Sequence, residues 1–243
     1  MWRRIDLKDR AKWVLKQCYW KAVLVSLILL VIGGGSYTYN ISANLKNSDS
    51  GGNYADYLWN SGDLKIAAAL ISTLLAASLV MGIVGIVLGV FFFNPLEVNI
   101  RRFFIISRVQ PAELNELGFS FKNGYINVVK IQFLRGLYTF LWSLLFLIPG
   151  IIKAYEYRMV PYILAENPEI DGSEAFRISR DMMRGEKWDT FILDLSFIGW
   201  NILSSFTCGI LTVFYVGPYI NLTWVELYDV LKNKLFGNGR AEN

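Results

Sequence analysis

Four charged residues lie within otherwise apolar stretches of this sequence: Arg135, Glu156, Arg158 and Asp194. A charge inside an apolar segment costs free energy, so it either serves a function or is neutralised by a partner. The residues alone leave two interpretations open. Charges of both signs could line a path for protons or a substrate, or they could form ion pairs that fix how helices pack.

Helical spacing limits which of these charges can meet. Glu156 and Arg158 are two residues apart, and side chains at that spacing do not face each other on a helix. We therefore predict the cross-pairs Arg135–Glu156 and Arg158–Asp194. Lys153 lies nearer the outer end of the same segment, and we expect its long side chain to reach the outer membrane surface.

The residue types and motifs that this sequence lacks exclude most catalytic chemistry. The sequence contains no His, which removes His-based triads and His-ligated metals. Neither Cys18 nor Cys208 has a CxxC partner, so no metal knuckle or redox pair is indicated. No GxSxG or P-loop motif occurs. We predict that the protein is not an enzyme and has no catalytic, cofactor-binding or metal-binding residues.

The elements that would position the charges are apolar helices. Hydrophobic residues make up 54% of the 243 residues and charged residues 18%, against about 25% in an average soluble domain. A transmembrane helix needs about 20 apolar residues. We predict an all-α, polytopic transmembrane helical bundle, a single integral membrane domain over residues 1–243, with about six spans: 22–41, 66–96, 128–152, 151–165, 189–206 and 210–228.

Two long uncharged runs receive different interpretations. As one helix, residues 195–225 would be about 46 Å long, too long to cross without strong tilt. We split this run at Thr207-Cys208-Gly209, although the sequence also allows one long helix. We keep 66–96 as one tilted helix, because a hairpin there would move the basic segment 97–126 to the outside. A break between the third and fourth spans is expected at Pro149-Gly150.

The distribution of Lys and Arg sets the orientation, because these residues concentrate on the cytoplasmic side of membrane proteins. Eighteen of the 24 lie in four segments that the predicted topology places on one side: 1–21, 97–126, 166–187 and 231–243. The outer segment 40–65 holds only two. Both termini are therefore expected in the cytoplasm, and the charged first 21 residues do not resemble a cleavable signal peptide.

The cytoplasmic segments suggest an internal repeat. We predict three units, about 1–110, 111–168 and 169–235, each an amphipathic interfacial helix followed by two spans that close on a proline: Pro95, Pro161 and Pro218. The apolar stripes of the three helices are Leu7, Ala11, Val14, Leu15 and Cys18; then Leu114, Leu117 and Phe121; then Ala175, Ile178 and Met182. Asp171 begins the third helix as an N-cap.

Small residues recur in the second span at Gly82, Gly85 and Gly89. Such a row lets two helices approach closely. Packing within the chain and a homo-oligomeric interface both agree with it.

The segments RAKWVLKQCYWKAVLVSLIL and SEAFRISRDMMRGEKWDTFILDLSFIGWNIL carry a resemblance over most of the chain. They resemble a bacterial integral membrane family designated domain of unknown function 975. The pattern that carries this resemblance is Ser179, Gly185, Trp188 and Phe191, followed by Ser196-Phe197 and Trp200. More weakly, the layout is similar to the membrane domain of some glycerophosphodiester phosphodiesterases. Their catalytic barrel has no counterpart in these residues, so the resemblance implies architecture and no activity.

Three classes of function follow from these patterns. The leading hypothesis is a non-enzymatic protein of the bacterial cytoplasmic membrane that organises lipid or protein partners. Its partners would be membrane lipids, anionic ones included because of the basic residues 3–16, a membrane protein, or a second copy of the chain. The alternative is a small transporter or permease component that uses the charges within the spans. A membrane-embedded enzyme acting on lipid ranks third. Nucleic acid is excluded as a partner, because topology explains the net charge of +4.

Overall fold

The computed structural model describes three parts of the chain, namely residues 2–32, 64–207 and 209–237. Side chains are described in all of these except residues 29–32, 64–70 and 147. Every regular element in these parts is helical, which confirms the all-α prediction. The second half of the first predicted span, most of the outer segment and Cys208 lie outside the described residues.

The chain divides into two compact units, one formed by Met1–Gly34 and Val90–Asn243, the other by Gly35–Gly89. The described part of the smaller unit is helix α2, Leu64–Leu88.

The helical backbone of α2 continues through a π-helical turn, Gly89–Phe93, into α3, Asn94–Ser107. Residues 66–96 therefore form an uninterrupted helix, as predicted. Within the described residues, Ile71–Ser107 is the one helix whose length and apolar composition suffice to cross a membrane.

Helix α1, Arg4–Ile32, bends at Cys18, where φ is −121° and ψ is 26°. The bend lies close to the predicted boundary between the amphipathic segment and the first span. The predicted stripe on its first half is a real face, because all five of its side chains are buried: Leu7, Ala11, Val14, Leu15 and Cys18. This face packs against the last helix, α11, Gly217–Gly237.

Helix α11 is the centre of the larger unit. All eleven side chains from Pro218 to Tyr228 are buried. They pack against α1, α3 and neighbouring helices, so this part of the sixth predicted span is surrounded by protein. Its burial resembles that of a core helix in a soluble protein, where the apolar surface removed from water stabilises the fold by about 25 cal/mol per Å².

A proline is the second residue of three described helices: Pro95 in α3, Pro161 in α7, Val160–Glu166, and Pro218 in α11. Proline suits this position because the N–H groups of the first turn have no carbonyl partner within the helix, so the missing N–H of proline costs nothing. Deeper in a helix the proline ring would clash with a carbonyl of the preceding turn. Each helix follows an irregular turn. Two of these turns are π-helical, before α3 and α11, and the third is a turn at residues 157–159 that is closed by a 3.3 Å hydrogen bond from the Val160 N–H to the Tyr157 carbonyl.

Helices α5, Tyr125–Leu145, and α6, Leu147–Glu156, form a tight hairpin. The break lies at Phe146, whose backbone is extended (φ −155°, ψ 143°), and the predicted break at Pro149-Gly150 is wrong. Pro149 is accommodated in the first turn of α6. Gly150 is needed for contact across the hairpin, because a Cβ there would lie 2.6 Å from Ser143 Cα.

The last predicted hairpin is confirmed at its turn. Helix α10, Ile198–Phe206, ends at Thr207, and Gly209 has a φ of +82° that favours glycine. The hydroxyl groups of Ser204 and Thr212 are hydrogen-bonded across the turn. The preceding part of the fifth span is a separate helix, α9, Lys187–Leu195.

The structure confirms the third predicted amphipathic helix but not a continuous second one. The third, α8, Gly172–Met182, begins at the N-cap Asp171 and buries its predicted stripe of Ala175, Ile178 and Met182. The second is reduced to a 3-10 turn, Leu114–Gly118, and one turn of helix, α4, Phe119–Lys122. A left-handed Gly124 (φ +62°) separates α4 from α5 and prevents a longer helix.

Candidate functional site

Arg158 and Asp194 form the predicted cross-pair. Two hydrogen bonds join the guanidinium to the carboxylate, with N–O distances of 2.7 and 3.2 Å. Tyr155 donates a third bond to the same carboxylate at 2.8 Å. The guanidinium also lies 3.5 Å from the ring centre of Trp224, a buried residue of α11. The pair thus connects α9 and the turn after α6 to the central helix, and its Asp194 charge is fully engaged.

The other predicted pair, Arg135–Glu156, is wrong. Arg135 lies 3.6 Å from Glu97 on α3 and donates a 3.0 Å hydrogen bond to Gln132, one turn earlier on its own helix. The error arises because the first residue after the second predicted span was assigned to a cytoplasmic segment, so Glu97 was not considered as a partner.

Glu156 has lysine partners. Lys153 Nζ lies 2.6 Å from one carboxylate oxygen and Lys187 Nζ lies 3.6 Å from the other. The expectation that Lys153 extends to the outer surface is therefore wrong, because it pairs one turn along its own short helix. The four predicted charges consequently fall into three separate groups.

A buried polar cluster around Glu97 was missed by sequence reasoning. Arg101 Nη2 lies 3.4 Å from Glu97, one turn along α3. Its other terminal nitrogen donates a 2.6 Å hydrogen bond to the side-chain oxygen of Asn221 on α11. The signal was available in the sequence, because Glu97 and Arg101 have i,i+4 spacing directly after Pro95, which begins a helix.

A second missed cluster fixes the far end of α11. Arg108 binds both Glu226, at 2.7 Å, and Asp229, at 2.9 Å. Burial by itself lowers the pKa of Arg108, but its bonds to Asp229 and Glu226 outweigh burial and raise the pKa overall. Glu226 is only 2% exposed, so its charge requires this partner.

An open, strongly basic pocket lies where the end of α6 meets α8 and the start of α9. Its volume is about 470 Å³. The pocket is lined by four cations and two carboxylates: Arg177, Arg180, Arg184, Lys187, Glu156 and Asp181. It includes Glu156 of the predicted charge layer but not Arg135, Arg158 or Asp194. We call it the basic pocket.

Two aromatic residues follow the pocket residue Lys187 on α9. Trp188 is 69% exposed, and its ring centre lies 5.5 Å from that of Phe191. An exposed Trp beside cations is typical of the level of lipid headgroups, where one edge of the ring meets acyl chains and the other meets water.

Residues 131–234 match the model of a family described as Protein of unknown function (DUF975). This segment is therefore similar to that family, which confirms the resemblance expected from the sequence over these residues. The segment contains the basic pocket and the Arg158–Asp194 pair. No curated protein and no solved structure matches the chain.

Proposed function

We propose that this protein is a multi-pass integral protein of the bacterial cytoplasmic membrane that organises lipids or membrane-protein partners without catalysing a reaction. In this proposal about six segments lie in the bilayer, both termini are cytoplasmic, and the chain is built from three units.

The observation that carries the membrane assignment is an extensive apolar surface. Most side chains of Ile71–Leu88 are apolar and exposed, and so are those at the tip of the α5–α6 hairpin, such as Leu144 at 76% and Ile148 at 72%. A soluble monomer rarely exposes a contiguous apolar patch beyond a few hundred Å². A bilayer is a solvent in which such a surface is stable.

The three proline-begun helices support the repeat. α3, α7 and α11 each follow an irregular turn at the end of an apolar segment and each contributes buried side chains. The cations of residues 166–187 and 231–237 lie near this helical core, in agreement with a cytoplasmic core and an apolar membrane part.

The way in which the charges within the predicted spans are neutralised favours a role in organising lipids or partners over a role in transport. Arg158 is bound in two places by Asp194, and Arg135 and Glu156 have partners of their own. A transport path would need charges of this layer to be reached together from one cavity. The basic pocket reaches Glu156 alone among them.

The test reconstitutes the full-length chain in vesicles of phosphatidylcholine with a minority of fluorescent phosphatidylglycerol. We expect self-quenching of the label, which reports clustering of the anionic lipid, together with no flux of protons or amino acids. Protein-free vesicles and vesicles with an unrelated multi-pass protein are the controls. Flux that Arg158→Gln abolishes would instead favour the transporter alternative, and unchanged fluorescence without flux would contradict lipid organisation. A chain that remains monodisperse without detergent would contradict the membrane assignment itself.

A further inference from the structure

We propose that the basic pocket binds a phosphate-bearing anion, and that its occupant in the membrane is the headgroup of an anionic phospholipid. The inference rests on the proposed function and deepens it by assigning one binding site to the lipid.

The charges of the basic pocket do not cancel. Four cations face two carboxylates, which leaves a net charge of +2 before any ligand enters. A phosphodiester carries one negative charge and a phosphomonoester between one and two, so either can be bound without overcompensation.

The internal ion pairs of the pocket are loose. Asp181 is shared between Arg177, at 3.8 Å, and Arg184, at 3.2 Å, and Lys187 stands 3.6 Å from Glu156. Charge-assisted hydrogen bonds between strong partners are shorter, about 2.7–2.9 Å. These cations can therefore turn toward a phosphate without losing a strong bond.

Arg180 provides the strongest indication of an external ligand. It lines the pocket and is exposed, and among the described residues it has no ion-pair partner. Its guanidinium can bind two phosphate oxygens at once, a geometry that Lys lacks. Arg177 stands one turn away on the same face of α8, so both can reach one phosphate group.

The surroundings favour a lipid as the source of that phosphate. Trp188 follows Lys187 directly and is exposed beside Phe191, which provides an apolar strip for acyl chains next to the cations. Gly185 has a φ of +79°, and this left-handed turn carries the chain from Arg184 back toward the pocket at Lys187. Positive-inside placement alone requires cations on this side of the membrane but no pocket that gathers them.

The test measures binding to the full-length chain in neutral detergent micelles. The probes are short-chain phosphatidylglycerol, short-chain phosphatidylcholine, glycerol 3-phosphate and inorganic phosphate. We expect phosphatidylglycerol to bind at least tenfold more tightly than phosphatidylcholine. Glycerol 3-phosphate binding as tightly as phosphatidylglycerol would keep the phosphate site but overturn its assignment to a lipid. No binding of any phosphate-bearing probe would overturn the proposal.

Charge variants distinguish binding at the basic pocket from nonspecific electrostatic attraction between the protein and an anionic lipid. Arg180→Gln should weaken phosphatidylglycerol binding about fivefold, the equivalent of about 1 kcal/mol for one cation near an anionic surface. Adding Arg177→Gln should weaken it about fivefold again. Asp181→Asn should act in the opposite direction and strengthen binding, because it releases Arg177 and Arg184; a residue that only supports the fold would not do so.

The matched control is Arg10→Gln, which removes one exposed cation from α1, outside the pocket. Equal losses in Arg10→Gln and Arg180→Gln would overturn the proposal, because binding would then follow net charge alone. Thermal unfolding should be unchanged in these exposed variants. If lipid clustering in vesicles persists while the pocket variants bind normally, the site is refuted and the proposed function stands.

Discussion

Helix α11 and the α5–α6 hairpin are both rich in apolar residues, yet their surroundings are opposite. Every side chain from Pro218 to Tyr228 is buried within the protein. At the tip of the hairpin Phe140, Leu144 and Phe146 are all more than 60% exposed. The same hydrophobic character thus serves packing between helices in one region and leaves an exposed apolar surface in the other.

Two polar side chains of α11 bind residues outside that helix, in addition to the local bonds that Asn221 and Thr223 donate to carbonyls one turn earlier. In α11, Asn221 accepts a hydrogen bond from Arg101, and Glu226 binds Arg108, so both join different helices. In the hairpin, the hydroxyls of Thr139 and Ser143 donate to carbonyls one turn earlier in their own helix, at 2.9 and 2.8 Å. Side chains that satisfy themselves locally suit a segment with no polar solvent beside it.

The largest expected effect comes from truncating a ring in the buried core that surrounds α11 and, for comparison, a ring on the exposed apolar surface. Phe103→Ala on α3 should lower the free energy of unfolding by about 3–5 kcal/mol, because Phe103 is fully buried and its loss leaves a cavity. The measurement is reversible unfolding of the full-length chain in detergent.

Its control is Phe206→Ala at the end of α10, where the ring is 82% exposed. That change should stay within about 0.5 kcal/mol, since detergent or lipid replaces the lost contacts in either state. A loss at Phe206 as large as that at Phe103 would show that the exposed region is covered by protein, and the comparison would fail.

This difference also explains what the sequence could and could not predict. Hydropathy identifies helices and turns, so the long helix through residues 66–96 and the turn at Gly209 were predicted correctly. Hydropathy does not distinguish an apolar helix that is buried in protein from one that is surrounded by lipid. The segments of α11 and α2 were therefore both predicted to be spans. Asn221 and Glu226 carried the missing signal, because polar side chains spaced along an apolar helix require protein partners.

The pairing of charges was predicted correctly only where both partners lay inside predicted spans. Arg158–Asp194 met that condition. Arg135 did not, because its partner Glu97 fell one residue outside a span boundary, and such boundaries are the least certain part of a sequence-based prediction. The basic pocket depends on the meeting of α6, α8 and α9, which no local pattern specifies.

The second prediction concerns the buried charges of the core. Glu226→Gln should cost about 2 kcal/mol of unfolding free energy, the usual contribution of hydrogen bonds to a charged group, because Arg108 retains only Asp229. As a surface control, Asp9→Asn removes the 3.4 Å pair with Lys12, whose side chains are about half exposed or more, and should cost less than about 0.5 kcal/mol. Similar costs for both would mean that α11 is more open to solvent than its burial indicates.

The third prediction sharpens the description of the hairpin. Gly150→Ala should cost about 1–2 kcal/mol, because the new methyl group must displace the backbone of Ser143. Gly136→Ala on α5 has no heavy atom of the described residues within 4 Å of the new Cβ, and should stabilise by about 0.4–1 kcal/mol. Opposite signs would confirm a hairpin with one tight contact near its tip; two stabilising substitutions would contradict it.

The smallest expected effects are coupling energies, which double-mutant cycles measure for the two predicted pairs of charged residues. Arg158→Gln and Asp194→Asn should couple by about 1 kcal/mol, a modest value because both side chains are about one-third exposed. Arg135→Gln and Glu156→Gln should add within about 0.5 kcal/mol, as expected for residues that share no partner. The Arg135→Gln and Glu97→Gln cycle provides the positive comparison, because the Arg135 guanidinium and the Glu97 carboxylate lie 3.6 Å apart.

Coupling between Arg135 and Glu156 as strong as that between Arg158 and Asp194 would return all four charges to one layer. It would also reopen transport, since a shared layer of charges is what a path through these helices would require.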